Sequence, residues 1–340
     1  MFKLISLSWL QFLPPLLIAA ILSWGLLAGI KCLTTKYQWW GQTSAHHDAR
    51  KITRLGGVAV WLTFLIVFLG FVDLTPPRLA LLVGMTLLFG MGLVDDLYNL
   101  PATLKLAWQI GAVAVAVGLG LHIGQVTNPF GGVIILSPMW DYIFSGLWLL
   151  VVVNAVNMLD GLDGLSAGAT SIFSVIIFFL SLFVIVNQPG TATMAVILLG
   201  TMLGYLWWNW YPAKIFYGDA GSNMVGFIMG ALAIVSGGKI ATAALVLGFP
   251  IMDLMWAAWR RVKQGRSPFA ADREHLHHRL LDAGVPHRNA VLIILALVAL
   301  FGVVSLLSGT WAKLIALLGV ALLMIILVRT VFFFQKRKSS

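Results

Sequence analysis

Charge is scarce in this sequence. Of 340 residues, 22 are Lys or Arg and 12 are Asp or Glu, so charged side chains make up 10% and hydrophobic ones 60%. Soluble domains carry about 25% charged residues, which excludes a water-soluble fold. Cysteine is nearly missing. Cys32 stands alone, so an intramolecular disulfide framework is excluded. Between residues 124 and 141 there is no Lys or Arg, and the chain carries no internal repeat and no low-complexity tract.

What is present is apolar sequence in long blocks. Crossing a bilayer takes about 20 residues of helix, and eleven windows qualify as candidate spans. They run approximately over 9–30, 55–72, 78–94, 105–123, 142–159, 165–186, 191–210, 222–237, 240–259, 289–308 and 311–334. The first window imitates a secretory signal. Only Lys3 precedes it and many windows follow, so it reads as an uncleaved transmembrane helix. The sequence therefore predicts an all-α polytopic membrane protein, one domain over residues 1–340.

Lys and Arg accumulate on the cytoplasmic side of membrane proteins. With the N-terminus outside and the C-terminus inside, 18 of the 22 basic residues become cytoplasmic, leaving Lys3, Arg78, Lys239 and Lys313 outside. The cytoplasmic loops are then about 31–54, 95–104, 160–164, 211–221 and 260–288, with a tail at 335–340. Topology accounts for most of the net charge of +10, and a nucleic-acid partner is unnecessary.

Each of the few acidic residues is informative. Asp95, Asp96, Asp160, Asp163, Asp219 and Asp253 fall at or near the cytoplasmic ends of predicted spans, where ionisable groups are functional candidates by default. Asp95 and Asp96 close the third span, and a helix C-terminus is electrostatically wrong for two carboxylates. Either a metal or Lys105 compensates them, or they mark a solvated helix end. In NAVNMLDGLDGL, Asn154 and Asn157 lie one turn apart, as do Asp160 and Asp163, so each pair can share a helix face. Such oxygen donors suit Mg2+, although a polar turn that ends a helix reads the same way. In WWNWYPAKIFYGDAGSN, Asn209 precedes the break at Pro212 and Gly218, and Asp219 follows it. The next residues open the eighth span, where helix N–H groups and Ser222 suit an anion, or where Asp219 or Ser222 forms an N-cap. Asp253 lies seven residues before Arg260, about 10 Å deep. There it either orients a loop residue or pairs between helices.

Two basic segments complete the inventory. The loop GRSPFAADREHLHHRL carries His275, His277, His278 and Arg279, suited to gripping a diphosphate. A zinc site there lacks a matched further ligand. Upstream, Arg50, Lys51 and Arg54 either contact a lipid phosphate or flank a span in the ordinary positive-inside manner. Carboxylates and Asn for a metal, basic groups for phosphates and apolar helices for a lipid tail equip the cytoplasmic face for phosphoryl transfer.

The motifs DDLYNL, NAVNMLDGLDGLSAG, WWNWYPAKIFYGDAGS and GRSPFAADREHLHHRL, in this order and spacing, resemble the polyprenyl-phosphate N-acetylhexosamine-1-phosphate transferase family. The resemblance covers about residues 45–285. The eleven windows and the HLHHRL form suit its WecA-like branch rather than the MraY-like branch that handles a muramyl-pentapeptide nucleotide. It implies Mg2+ as cofactor, with Mn2+ as substitute, Asp219 as principal ligand and Asn157 assisting. Asp95 and Asp96 match the family's catalytic acidic pair, Lys105 a phosphate-contacting lysine, and Asn209 an active-site Asn. Asp163 falls where relatives contact uracil, with Asp160 in the same nucleotide-sugar segment. His275, His277, His278 and Arg279 match the loop on the sugar-diphosphate side. The implied partners are a UDP-N-acetylhexosamine, undecaprenyl phosphate and membrane lipid, in a bacterial inner membrane. Family members are often dimers, so a homodimer is open. The implied reaction is direct displacement at the sugar-bearing phosphorus, with an aspartyl-phosphate on Asp95 or Asp96 as the alternative. DGLDG also resembles the CDP-alcohol phosphotransferases, but LSAGAT follows where their pattern continues differently. A transporter would place its charges near the midplane between repeats, which this sequence does not do.

Overall fold

The computed structural model describes residues 9–38, 52–128, 130–183, 186–237, 240–265, 275–307, 309, 311–323 and 326. Arg50, Lys51, the side chain of His277 and the tail 335–340 lie outside the described residues. A 3-10 turn, Trp9–Phe12, leads into α1 (Leu13–Tyr37), followed by α2 (Gly56–Phe71), α3 (Pro76–Tyr98) and α4 (Ala102–Gly118). A two-stranded antiparallel hairpin of β1 (Gln125–Thr127) and β2 (Val133–Ile135) follows, pairing Gln125 with Ile135 and Thr127 with Val133. Then come α5 (Pro138–Leu159), α6 (Leu165–Ser181), α7 (Pro189–Asn209), α8 (Gly218–Val235), α9 (Ile240–Val246), α10 (Gly248–Lys263), α11 (Leu276–Asp282), α12 (His287–Leu307) and α13 (Trp311–Leu323).

Local chemistry sets several of these boundaries. Helices α3, α5 and α7 open on proline and α1 carries Pro14 and Pro15 in its first turn, where the fixed φ suits a first turn and the missing N–H has no helical partner to lose. At the end of α3, Asn99 takes the left-handed conformation and returns its N–H to the Asp95 carbonyl at 2.8 Å, a C-cap that stops the helix. Helix α3 thus runs to Tyr98 rather than ending near residue 94, and both acidic residues sit in its last turns.

Helix α8 is the centre of the bundle, buried along almost its whole length, with α3 and α5 packed beside it. Helix α4 bridges α3 and α5, while α7 lies between α1 and α6. Leu10, Leu17, Ile21 and Trp24 turn outward on the first helix and its leading turn, which suits a surface against lipid better than one against water.

Among the described residues each of the eleven apolar windows contains helix, but they are not alike. Six helices (α1 with its leading turn, α3, α5, α7, α8 and α12) are long and apolar enough to cross a membrane. The ninth window, expected as one span, is instead the α9–α10 pair, bent by 77°; counted together they make a seventh. Helices α2, α4, α6 and α13 are apolar but shorter, at 10–17 residues. The segment 124–141, free of Lys and Arg, contains the hairpin and the start of α5.

Candidate active site

Glycine decides how α3 and α8 meet. A Cβ on Gly92 would collide with the Asp219 carbonyl oxygen and the Ala220 Cα, both backbone atoms that cannot swing aside. Without it, the last turns of α3 lie directly against the first turn of α8. Gly218, at φ +64°, begins α8 in the left-handed region, and any Cβ there would strike the Asp96 carboxylate.

This contact places three carboxylates together. The Asp96 carboxylate receives the N–H of Asp219 and of Ala220, each at 3.0 Å. It therefore occupies the electropositive start of α8. The sequence reading left those amides to an outside anion, or to a cap by Asp219 or Ser222. Neither holds, because α8 begins at Gly218, four residues before Ser222, and its first turn has no side-chain cap of its own. Ser222 Oγ instead donates back to the Gly218 carbonyl at 3.0 Å.

Asp95 points the other way. It is 2% exposed; one oxygen accepts the Leu100 N–H at 2.8 Å and the other is ion-paired with Lys105. Lys105, at the start of α4, also reaches Asp219 Oδ2 at 3.2 Å. Asn157 of α5 donates to Asp219 Oδ1 at 2.8 Å and to Ser222 Oγ at 2.7 Å. Four helices thus converge on the Asp219 carboxylate, and Lys105 supplies the compensating cation for α3. Asp160 and Asp163 do not share a helix face as expected, since α5 ends at Leu159 and both lie in the following turn. The charges of Asp219, Asp96 and Arg54 all act on the Asp160 carboxyl.

A second set of bonds shapes the floor of the site. Asp163 Oδ2 accepts the Ala213 N–H at 2.9 Å, and Asn209 accepts from Gly164 N at 2.9 Å while donating to the Ile215 carbonyl at 3.2 Å. Both side chains are almost fully buried, and both tie the 160–164 turn to the 211–217 segment. Tyr217 N donates to the Tyr205 hydroxyl at 3.1 Å, the Tyr205 and Tyr217 rings stack, and the Tyr217 hydroxyl meets Ser166. Phe216 N bonds to the Thr53 carbonyl at 2.9 Å and Gly56 N to the Phe216 carbonyl at 3.0 Å, which ties the 53–56 segment, Arg54 included, to the 211–217 segment.

The histidine segment forms its own group. Asp253, buried in α10, accepts the Leu276 N–H at 3.2 Å and lies 3.3 Å from His275 Nδ1. Asp253 combines the two sequence readings: it pairs between α10 and α11, and in doing so a foreign carboxylate starts α11. His275 is the residue before α11 and His278 and Arg279 lie within it, half-buried except for His275. Among the described residues no three His, Cys, Asp or Glu side chains gather as a metal cluster.

Sequence reading missed Gln109, Asn223, Tyr205, Ser166 and Gly92. Gln109 carried a usable signal, since it is the one amide in an otherwise apolar run, four residues after Lys105.

The model of the family described as glycosyl transferase family 4 matches residues 78–237. The chain is 36% identical over 276 residues to a decaprenyl-phosphate N-acetylglucosaminephosphotransferase of Mycobacterium leprae, covering 71% of this chain and 69% of that one. The chain belongs to glycosyl transferase family 4. It is also 31% identical over 269 residues to an undecaprenyl-phosphate alpha-N-acetylglucosaminyl 1-phosphate transferase of Salmonella typhi, covering 74% of this chain and 71% of that relative. The corresponding Escherichia coli O157:H7 protein is 28% identical over 270 residues, covering 76% and 72%. The stretch matched by the family model carries the whole carboxylate cluster, Asp95, Asp96, Lys105, Asn157, Asp160 and Asp219, together with Asp163 and Asn209.

For a family 4 glycosyl transferase the question of a metal follows directly. The donors around Asp219 are oxygens and amides, and an ammonium already bridges Asp95 and Asp219, so the position favours a cation. Mg2+ takes one or two carboxylates and completes its shell with water and substrate phosphates. The residues present fit that mode rather than a full protein cage.

Proposed function

We propose that this family 4 glycosyl transferase moves N-acetylglucosamine-1-phosphate from a UDP-sugar onto undecaprenyl phosphate at the cytoplasmic face of a bacterial inner membrane. The observation that carries the reading is the Lys105 ammonium lodged between Asp95 and Asp219 where apolar helices end. That is a cation site at the lip of a lipid-facing bundle. The names of the relatives from M. leprae and S. typhi support the same class of donor and acceptor.

In this reading Asp219 and Asn157 hold Mg2+, which when bound neutralises the diphosphate and the departing nucleotide. Lys105 exchanges a carboxylate for a phosphate oxygen, and Arg54 adds charge from the neighbouring loop. An oxygen of the lipid phosphate bonds to the sugar-bearing β-phosphorus. The bond from that phosphorus to the oxygen bridging to the α-phosphorus breaks, and UMP leaves with the electron pair. Positioning and neutralisation of phosphate charge are the chain's main contribution. Asp163 and Asn209 keep the nucleotide-side turn in place, and His275, His278 and Arg279 face the sugar-diphosphate. Eleven spans with the N-terminus outside place all these groups on one side, the assembly is a homodimer, and the product begins a cell-surface glycan such as O-antigen.

The test is a detergent assay with undecaprenyl phosphate, Mg2+ and a panel of UDP-sugars, following UMP and lipid-linked product. Turnover with UDP-N-acetylglucosamine, lost on chelation and restored by Mg2+ or Mn2+, is expected. Absence of UMP from every donor, in well-folded protein supplied with carrier, overturns the reading.

A further inference from the structure

Beneath the charged cluster lies a second tier built on the same three helices. Gln109 follows Lys105 by four residues on α4, Asn223 follows Asp219 by four on α8, and Asn154 precedes Asn157 by three on α5. At these spacings each lower residue shares a helix face with its upper partner. The lower three are bonded to one another. Asn154 Nδ2 donates to Gln109 Oε1 at 3.0 Å and Gln109 Nε2 donates to Asn223 Oδ1 at 2.8 Å. Asn223 Nδ2 in turn donates to the Asp219 carbonyl at 2.7 Å, and Asn154 is steadied by the Leu150 carbonyl at 2.8 Å.

Gln109 is the centre of this chain, 5% exposed, and the only member bonded to both other helices. Around it α4 buries Ala112, Val113, Ala116 and Val117 against its neighbours. A donor and an acceptor on opposite atoms of one amide add to this packing a directional constraint on the height of one helix against another.

We propose that Gln109 is a positioning residue for the transfer reaction. By clasping Asn154 and Asn223 it sets the relative heights of α4, α5 and α8, so that Lys105, Asn157 and Asp219 meet one turn above. The inference rests on the transferase reading for its kinetic part and on geometry alone for the rest.

The test uses the full-length protein in detergent, with Gln109→Leu, which keeps the size and removes both bonds, and Asn154→Leu, which removes one. Displaced supporting groups cost about 10–100-fold in rate. Gln109→Leu is expected to lower kcat by about that much with KM for the UDP-sugar nearly unchanged, and Asn154→Leu by less. In a Lys105→Ala background, Gln109→Leu should cause little further loss. A general loosening of the fold would instead multiply the two effects, and that result overturns the proposal.

A second readout needs no turnover. In a Cys32→Ser background, Lys105→Cys with Asp219→Cys should be joined efficiently by a short bifunctional thiol reagent, and much less so once Gln109→Leu is added. Unchanged cross-linking overturns the positioning role, even if Gln109→Leu alone folds poorly. A wild-type protein that releases no UMP would sink the transferase reading instead, while the cross-linking still decides Gln109.

Discussion

The Asp96 carboxylate, at the end of α3, accepts the first free N–H groups of α8 from Asp219 and Ala220, each at 3.0 Å. One acidic residue of the DD pair is thus spent on holding two helices together, and the other, Asp95, faces Lys105. The pair divides its labour between docking and charge.

Replacing Asp96 by Asn removes the negative charge from the α8 start and one of two acceptors. Loss of about 1–2 kcal/mol is expected, seen as a lowered thermal midpoint in detergent, with Asp96→Ala worse. Equal stability of the three proteins would disprove the docking role.

Lys105→Ala leaves buried Asp95 without its cation and removes a phosphate contact. A fall of about 10²–10³-fold in kcat is expected, together with a lower midpoint. Adding Asp95→Asn to this variant should recover stability, because the uncompensated carboxylate is gone, yet leave the rate low. Recovery of the rate would show that Lys105 only balances Asp95.

At Gly92 a methyl group meets backbone on α8, so Gly92→Ala must part α3 from α8. Overpacking of this sort costs about 1–3 kcal/mol. The cation site should fail with it, read as loss of Mg2+-stimulated turnover. A variant that keeps the wild-type Mg2+ response would mean the helices have room to spare.

Asp253→Ala takes the cap from α11 and the neighbour from His275. A rise in KM for the UDP-sugar with kcat nearly unchanged is expected, along with about 1 kcal/mol of stability. A kcat effect without a KM effect would move the α11 segment from donor binding to the chemical step.

The Asp160 carboxyl, in the turn after α5, is raised well above its ordinary value, by burial first and then by the charges of Asp219 and Asp96, with Arg54 opposing. A carboxyl raised on folding favours the folded state while protonated, so its contribution is lost as pH rises above the ordinary carboxylate range. Asp160→Asn should therefore stand level with the wild type in acid and above it at neutral and alkaline pH. Thermal midpoints across pH would reveal the reverse slope if Arg54 dominates.

Much of this was legible in the primary structure. Apolar windows overlie the long helices of the bundle, though not α11 and not the break between α9 and α10, because burial in lipid demands unbroken apolar runs. The scarcity of Asp and Glu made Asp95, Asp96, Asp160, Asp163 and Asp219 stand out as a set.

Other features depend on which side chains meet across helices, and no local pattern encodes that. The bend between α9 and α10 comes inside an apolar run that reads as one span. The donors at the start of α8 looked free for a ligand, because their acceptor, Asp96, lies 123 residues earlier in the chain. Gln109 looked like an isolated amide until α5 and α8 brought Asn154 and Asn223 to its two ends. The sequence by itself determined which residues must leave water and which few charges had to gather at helix ends, since transfer free energy is a property of each residue. Only the tertiary structure decided which of those charges docks helices, which balances another and which stays available, since a hydrogen bond belongs to two groups at one distance.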